Sequence, residues 1–186
     1  MLFVYNASTF EELPQDTRLS FNKEWGRGQG WGVTDDGDHT LFLSDGSRSI
    51  FEMDARTMKV TRQRQLNCSA GPALFCGSGE INELEWVPLP PRGGATTAEE
   101  RGRERSTVYF NVWNSDMIGH YDVEQGCVLR WIDLTGLLAT SAKRCCTGRE
   151  NVLNGIAWHD GLPPDTLLLT GKLWPALFLV QLTPPK

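Results

Sequence analysis

The chain has 186 residues, which is about the length of one domain. Hydrophobic residues make up 40% and charged residues 22% of the sequence, a balance that excludes wholesale disorder. With 18 basic and 23 acidic residues the net charge is −5, which argues against a nucleic-acid-binding protein, because such proteins present a basic face. No apolar run approaches the ~18 residues of a membrane-spanning helix, so we expect no membrane span.

Short runs of β-branched, aromatic and leucine residues recur along the chain, separated by turns rich in Asp, Gly, Asn and Pro. No segment keeps a helical period over several turns. This pattern is typical of an all-β sandwich, barrel or propeller. The clearest predicted strands are 40–44, 50–53, 108–113, 128–132, 166–170 and 177–182.

An internal repeat favours the propeller among these architectures. The segments that begin at Thr40, Thr107 and Thr166 each consist of a strand, a tight polar turn and a second strand. Another short strand lies upstream of each segment, and a fourth follows downstream, as over 58–66 and 127–134. Four strands per unit make the blade of a β-propeller.

We therefore predict a single, partial β-propeller domain over residues 1–186. Its predicted parts are a half blade over 1–21 and blades over 30–66, 81–134 and 153–182, with insertions over 88–106 and 137–151. Because a propeller needs at least four blades to close, these three and a half blades predict that the chain lacks its beginning.

In a propeller, residues at equivalent positions of successive blades face one another across the central channel. Four residues occupy such equivalent positions here, and we take them as candidate site residues. Trp113 and Lys172 both lie six residues after their aligned threonine, while Trp31 and Asn82 lie at the start of predicted innermost strands. Together they predict a small pocket with tryptophan rings, an amide and one cation. The alternatives are a packing role for the tryptophans, a solvated lysine and a turn-forming asparagine.

Other aromatic and acidic residues of the predicted strands have a different interpretation. Trp86, Trp131 and Trp158 fall inside strands and are predicted to belong to the core. Glu83 and Glu85 alternate along one strand, so we expect only one of them to face the channel.

The five cysteines match no zinc-binding spacing, and we expect no metal site. Cys68 and Cys76 could close a small loop, and Cys145 and Cys146 are adjacent. The simplest interpretation is that these thiols have no specific role.

Seven motifs of the sequence, taken together and in order, resemble a known family. They are GWGVTDDG, LFLSDGS, INELEW, NVWNSD, WIDLTGL, LNGIAW and TGKLWP. They occur in the order found in glutaminyl cyclases of the plant and bacterial type, and the resemblance covers residues 2–182. It implies a five-bladed β-propeller and an enzyme of the aminoacyltransferase class.

The resemblance also implies a reaction, in which the N-terminal glutamine of a peptide or protein becomes pyroglutamate and ammonia is released. The family's pocket tryptophans correspond to Trp31 and Trp113, its pocket asparagine to Asn82 and its lysine to Lys172. The two tryptophans would bind the glutamine, Asn82 would hydrogen-bond its amine or amide, and Lys172 would polarise the γ-carbonyl group. No cofactor and no catalytic zinc are implied.

One departure from the family pattern leaves three hypotheses open. The family carries a Phe-Thr-(Glu or Gln)-Gly signature whose acidic residue is proposed as the general acid/base, and this chain lacks it; Thr9, Phe10, Glu11 and Glu12 lie in a turn and do not replace it. The chain is therefore a cyclase sequence shortened at its N-terminus, a non-catalytic propeller remnant that binds peptide N-termini, or an interaction propeller without a small-molecule site.

Overall fold

A computed structural model describes residues 5–12, 29–66, 79–88, 106–138 and 151–183. Over these ranges it contains eleven β-strands and no helix. The strands are β1 (Gly32–Asp35), β2 (Thr40–Ser44), β3 (Ser49–Asp54), β4 (Lys59–Gln65), β5 (Ile81–Pro88), β6 (Ser106–Val112), β7 (Met117–Asp122), β8 (Cys127–Asp133), β9 (Leu153–Ala157), β10 (Thr166–Gly171) and β11 (Phe178–Gln181). The all-β prediction is confirmed, and each of the six clearest predicted strands coincides with an observed strand to within about two residues.

The strands form three antiparallel sheets in which each strand pairs with its neighbour in sequence. The first sheet has the order β1-β2-β3-β4, the second β5-β6-β7-β8 and the third β9-β10-β11. The innermost strands β1, β5 and β9 lie side by side from one sheet to the next. The four-stranded sheets have the strand order that the repeat in the sequence predicts.

Acidic residues at the strand ends define the tight turns. The Asp36 Oδ1 atom accepts hydrogen bonds from the backbone N–H groups of residues 38–40, each at 2.9 Å. The Asp54 Oδ1 atom does the same for Arg56 at 3.0 Å and Thr57 at 2.7 Å. These bonds satisfy amides that the sheet leaves unpaired, which explains why Asp-rich turns mark the strand boundaries in the sequence.

The sheets stack face to face, and two apolar clusters fill the spaces between them. The first cluster joins the first and second sheets, and includes Phe42, Ile50, Leu84, Phe110 and Tyr121. The second joins the second and third sheets, and includes Tyr109, Ile118, Leu153, Ile156 and Leu169. Because successive residues of a strand point to opposite faces, β6 supplies Phe110 to one cluster and Tyr109 to the other.

Trp86, Trp131 and Trp158 occupy the edges of these clusters. Each is partly buried and packs against a core cluster, Trp86 and Trp131 against the first and Trp158 against the second. The prediction that these three tryptophans belong to the core is therefore confirmed in that each packs against a core cluster, but none of them is fully buried.

Several predicted features lie largely or wholly outside the described residues. Of the half blade over 1–21 the structure describes residues 5–12, where an antiparallel bridge joins Tyr5 to Glu12. Most of both insertions lies outside the described ranges, as do four of the five cysteines; the fifth, Cys127, is an exposed free thiol.

Candidate functional site

The four candidate residues lie at the same end of their sheets. In each sheet the start of the innermost strand pairs with the end of the next one: Gly32 with Ser44, Ile81 with Val112, and Leu153 with Gly171. Trp31 directly precedes β1, Asn82 is the second residue of β5, and Trp113 and Lys172 directly follow β6 and β10. We call this end of the three sheets the mouth.

Trp31 and Trp113 contact each other at the mouth, although 82 positions separate them in the sequence. Their ring centroids are 6.3 Å apart and their planes make an angle of 69°, an edge-to-face arrangement. The Trp31 Nε1 atom donates a hydrogen bond to the Gln29 Oε1 atom at 2.9 Å, and both rings are partly exposed. Two fixed aromatic surfaces therefore border the mouth between the first and second sheets.

Gly46 explains why the Trp31 ring can lie where it does. A Cβ atom at this position would be 2.6 Å from the ring, which is closer than van der Waals contact allows. Gly46 also has a φ of 75°, in the left-handed region that favours glycine. The Trp31 indole therefore packs directly against the backbone of the turn after β2, at a residue that has no side chain.

Asn82 is held against the first sheet through its backbone. The Asn82 carbonyl oxygen accepts a short hydrogen bond from the Ser44 Oγ atom. Gly32 passes so close to the same carbonyl that a Cβ atom there would overlap it. Asn82 is 7% exposed, so its side chain sits in a confined space at the start of β5.

Lys172 occupies the turn of the third sheet that corresponds to the Trp113 turn of the second. The Trp113 N–H group donates to the Glu80 carbonyl at 2.8 Å, and the Lys172 N–H group donates to the Val152 carbonyl at 2.9 Å. Glu80 and Val152 each directly precede the innermost strand of their sheet. The shared register inferred from the sequence is thus reproduced in the backbone, with the Lys172 side chain exposed at the mouth.

Glu83 and Glu85 tie β5 to β9. The Glu83 Oε2 atom accepts a hydrogen bond from the Ile156 N–H group at 3.0 Å, and the Glu85 Oε1 atom accepts one from the Trp158 N–H group at 2.7 Å. The expectation that only one of the two faces the channel assumed that their side chains point in opposite directions. It is wrong, because residues two apart in a strand point to the same face of the sheet. Both carboxylates reach the third sheet.

The positions of these two carboxylates change their acidity. Burial raises the pKa of Glu83 to about 8, and the charge of nearby Glu85 adds to the rise, while the hydrogen bond from Ile156 opposes it. Burial also raises the pKa of Glu85, against the hydrogen bond from Trp158. The join between the second and third sheets therefore contains a carboxyl group that favours its protonated form near neutral pH.

The structure brings Trp31 and Trp113 into contact and places Asn82 and Lys172 at the same mouth, with Lys172 one sheet removed from the tryptophan pair. The groups that hold these residues, among them Ser44 and the buried amide of Asn111, are not identifiable in the sequence. Their partners are 38 and 28 residues away along the chain, in separate strands, so no local pattern reveals them.

A separate cavity of about 310 Å³ lies at the opposite end of the second and third sheets, and its lining includes Tyr109, Trp158 and Asp165. In the described ranges, no three His, Cys, Asp or Glu residues come close enough together to hold a metal ion. The same part of the chain contains no helix that could span a membrane.

Comparison with known proteins identifies the family. The glutamine cyclotransferase family model matches residues 1–182. The chain belongs to this family. It is 34% identical over 153 residues to a glutaminyl-peptide cyclotransferase of Arabidopsis thaliana, an alignment that covers 82% of this chain and 40% of that protein.

A solved structure supports the same assignment. The crystal structure of Myxococcus xanthus glutaminyl cyclase superimposes with a TM-score of 0.61 at 28% sequence identity, over 83% of this chain and 55% of that one. This member of the cyclotransferase family therefore spans about half the length of these relatives or less. The resemblance inferred from the seven motifs is confirmed at the level of the family.

Proposed function

We propose that this chain acts as a glutaminyl-peptide cyclotransferase, which converts the N-terminal glutamine of a peptide or protein to pyroglutamate with release of ammonia. The observation that carries the proposal is the edge-to-face pair of Trp31 and Trp113 at the mouth, in a chain of the glutamine cyclotransferase family. Two partly exposed indoles, with an amide and an ammonium group at the same end of the sheets, suit a short, polar-tipped side chain.

The reaction makes four demands on such a site. The α-amino group must be neutral, which its usual pKa of about 7.7–8.0 allows near neutral pH. Its nitrogen attacks the side-chain amide carbon, so the glutamine must be held folded back on its own amine. Negative charge develops on the amide oxygen and needs a donor or a cation. The attacking nitrogen loses a proton as the ring closes, and the departing nitrogen gains one as its bond to carbon breaks and ammonia leaves.

The candidate residues divide these tasks. The walls formed by Trp31 and Trp113 hold the folded glutamine side chain and exclude water from it. The Asn82 amide donates or accepts a hydrogen bond at the substrate's amine or amide. The Lys172 ammonium group stabilises the amide oxygen as it gains charge, which makes Lys172 and Asn82 the proposed catalytic residues.

The proposed architecture is a five-bladed propeller of which this chain supplies about three and a half blades. In this view the sheets β1–β4, β5–β8 and β9–β11 are blades within 30–66, 81–134 and 153–182, and 1–21 supplies a half blade. The face-to-face stacking of the sheets supports this arrangement, because radially repeated sheets pack in that way.

A second candidate function is peptide binding without turnover. It is favoured by the position of Lys172, which lies one sheet away from the edge-to-face pair of Trp31 and Trp113 that would hold the glutamine. A chain of this kind would hold an N-terminal glutamine between the tryptophans and release it unchanged.

Ammonia release from a glutaminyl dipeptide distinguishes the two functions. We expect the purified chain to accelerate ammonia release above the buffer rate, with a matching loss of peptide mass measured by mass spectrometry. The same dipeptide with an acetylated amine is the control and should release nothing, because its nitrogen cannot attack. Binding of the free dipeptide without ammonia release would support the second candidate and contradict the first.

A further inference from the structure

A single buried amide connects the strands that carry the candidate residues. Asn111, in β6, is 0% exposed. Its Oδ1 atom accepts a hydrogen bond from the Glu83 N–H group at 2.9 Å, and its Nδ2 atom donates one to the Leu153 carbonyl at 2.6 Å. A buried amide is costly unless both ends are bonded, and here both are.

The first of these bonds fixes the β5 side of the mouth. The Glu83 N–H group belongs to the peptide bond that follows Asn82, so the bond holds the backbone on which the Asn82 side chain is mounted. Asn111 is itself two residues from Trp113 in the same segment. The amide therefore ties the peptide bond that follows Asn82 to the strand that ends just before Trp113.

The second bond fixes the β9 side. Leu153 follows Val152, whose carbonyl accepts the Lys172 N–H group at 2.9 Å. The Leu153 carbonyl, held by Asn111, is therefore one residue from the backbone group that anchors the Lys172 turn. One side chain thus links the second sheet to the third at the level of the mouth.

We propose that Asn111 is a positioning residue of the site, which sets the spacing between Asn82 and Lys172 across two sheets. The inference rests on the proposed function and deepens it, because both residues must meet one substrate amide. A displacement of about 1 Å can lower a rate about 10²-fold, and catalytic groups need placement within about 0.5 Å.

Asn111→Asp tests the proposal, with Thr107→Val as the matched control. The aspartate keeps the acceptor for Glu83 but loses the donor to Leu153. Thr107 is equally buried on the same face of β6, and its Oγ1 atom donates to the Val87 carbonyl at 3.2 Å, at the end of the sheet away from the mouth. Each substitution thus removes one buried hydrogen bond, and the aspartate, when ionised, also adds a buried charge that protonation removes.

We expect Asn111→Asp to lower kcat about 10- to 100-fold with KM changed less than about threefold, because the loss falls mainly on the transition state. Lowering the pH should restore part of kcat relative to the unmodified chain, since a protonated carboxyl group can donate to Leu153 again. Thr107→Val should keep kcat within about twofold. Equal kcat in the two variants, or an unchanged kcat in both, would overturn the proposal.

A measurement without turnover separates failure of this inference from failure of the proposed function. If the unmodified chain releases no ammonia, the proposed function fails, and NMR shifts still test Asn111. Asn111→Asp should then move the backbone amide signals of Asn82 and Lys172, and Thr107→Val should leave both in place. The opposite result, with both signals unmoved by Asn111→Asp, would show that Asn111 does not position the mouth.

Discussion

Lys172→Ala is expected to lower the rate of ammonia release from a glutaminyl peptide by about 10²–10³-fold, the usual cost of removing a group that stabilises a developing oxyanion. Lys172 is exposed at the mouth, where a side-chain ion pair is worth at most about 1 kcal/mol, so the substitution should change the free energy of unfolding by no more than about that amount. The loss should fall on kcat and on kcat/KM alike, since the oxygen becomes charged only as the reaction proceeds.

Lys59→Ala is the control for Lys172→Ala. Lys59 is an exposed lysine at the start of β4, on the outer strand of the first sheet, so its removal subtracts the same charge far from the mouth. Steady-state rates and thermal melting of both variants complete the test. An unchanged rate in Lys172→Ala, with the chain folded, would remove Lys172 from the mechanism.

Glu83→Gln is expected to flatten the dependence of stability on pH and to stabilise the chain in mildly alkaline solution. The pKa of Glu83 is raised in the folded chain from 4.5 to about 8, so between these values the folded chain keeps a proton that the unfolded chain has lost. The free energy of unfolding therefore falls as the pH rises through this window, by at most about 1.4 kcal/mol per pH unit for this group. Below pH 4.5, where Glu83 is protonated in both the folded and the unfolded chain, the stability that this group contributes is fully present.

Glutamine removes the titration but keeps an oxygen for the Ile156 N–H group. Urea unfolding between about pH 5 and 9, compared with the unmodified chain, measures the difference in slope. Glu124→Gln, in the exposed turn between β7 and β8, is the control for the loss of one carboxylate. Identical pH dependence in Glu83→Gln and the unmodified chain would show that Glu83 does not retain its proton on folding.

The strands and the positions of the candidate residues can be predicted from the sequence because their signals are local. A short apolar run between Asp-rich turns defines β2 at 40–44, as predicted, and the repeat alone aligns Trp113 with Lys172. The hydrogen bonds that these two residues donate to the segments before the innermost strands confirm this alignment. Hydrophobic periodicity and turn chemistry are sufficient for these inferences.

The groups that hold the site together cannot be predicted in this way, because they act between sheets. Glu83 bonds a backbone amide 73 residues away, and Asn111 bonds a carbonyl 42 residues away. Within their own strands both residues look like ordinary polar positions. A pairing of this kind depends on how the sheets stack, which no window of sequence contains.

The most direct test of the candidate site is a crystal structure of the chain with a pyroglutamyl dipeptide, the product of the proposed reaction. We expect the pyroglutamyl ring to lie against Trp31 and Trp113, with its lactam group within hydrogen-bonding reach of Asn82 or Lys172. A dipeptide bound instead in the cavity beside Tyr109 and Trp158, with the mouth empty, would contradict the assignment of the site.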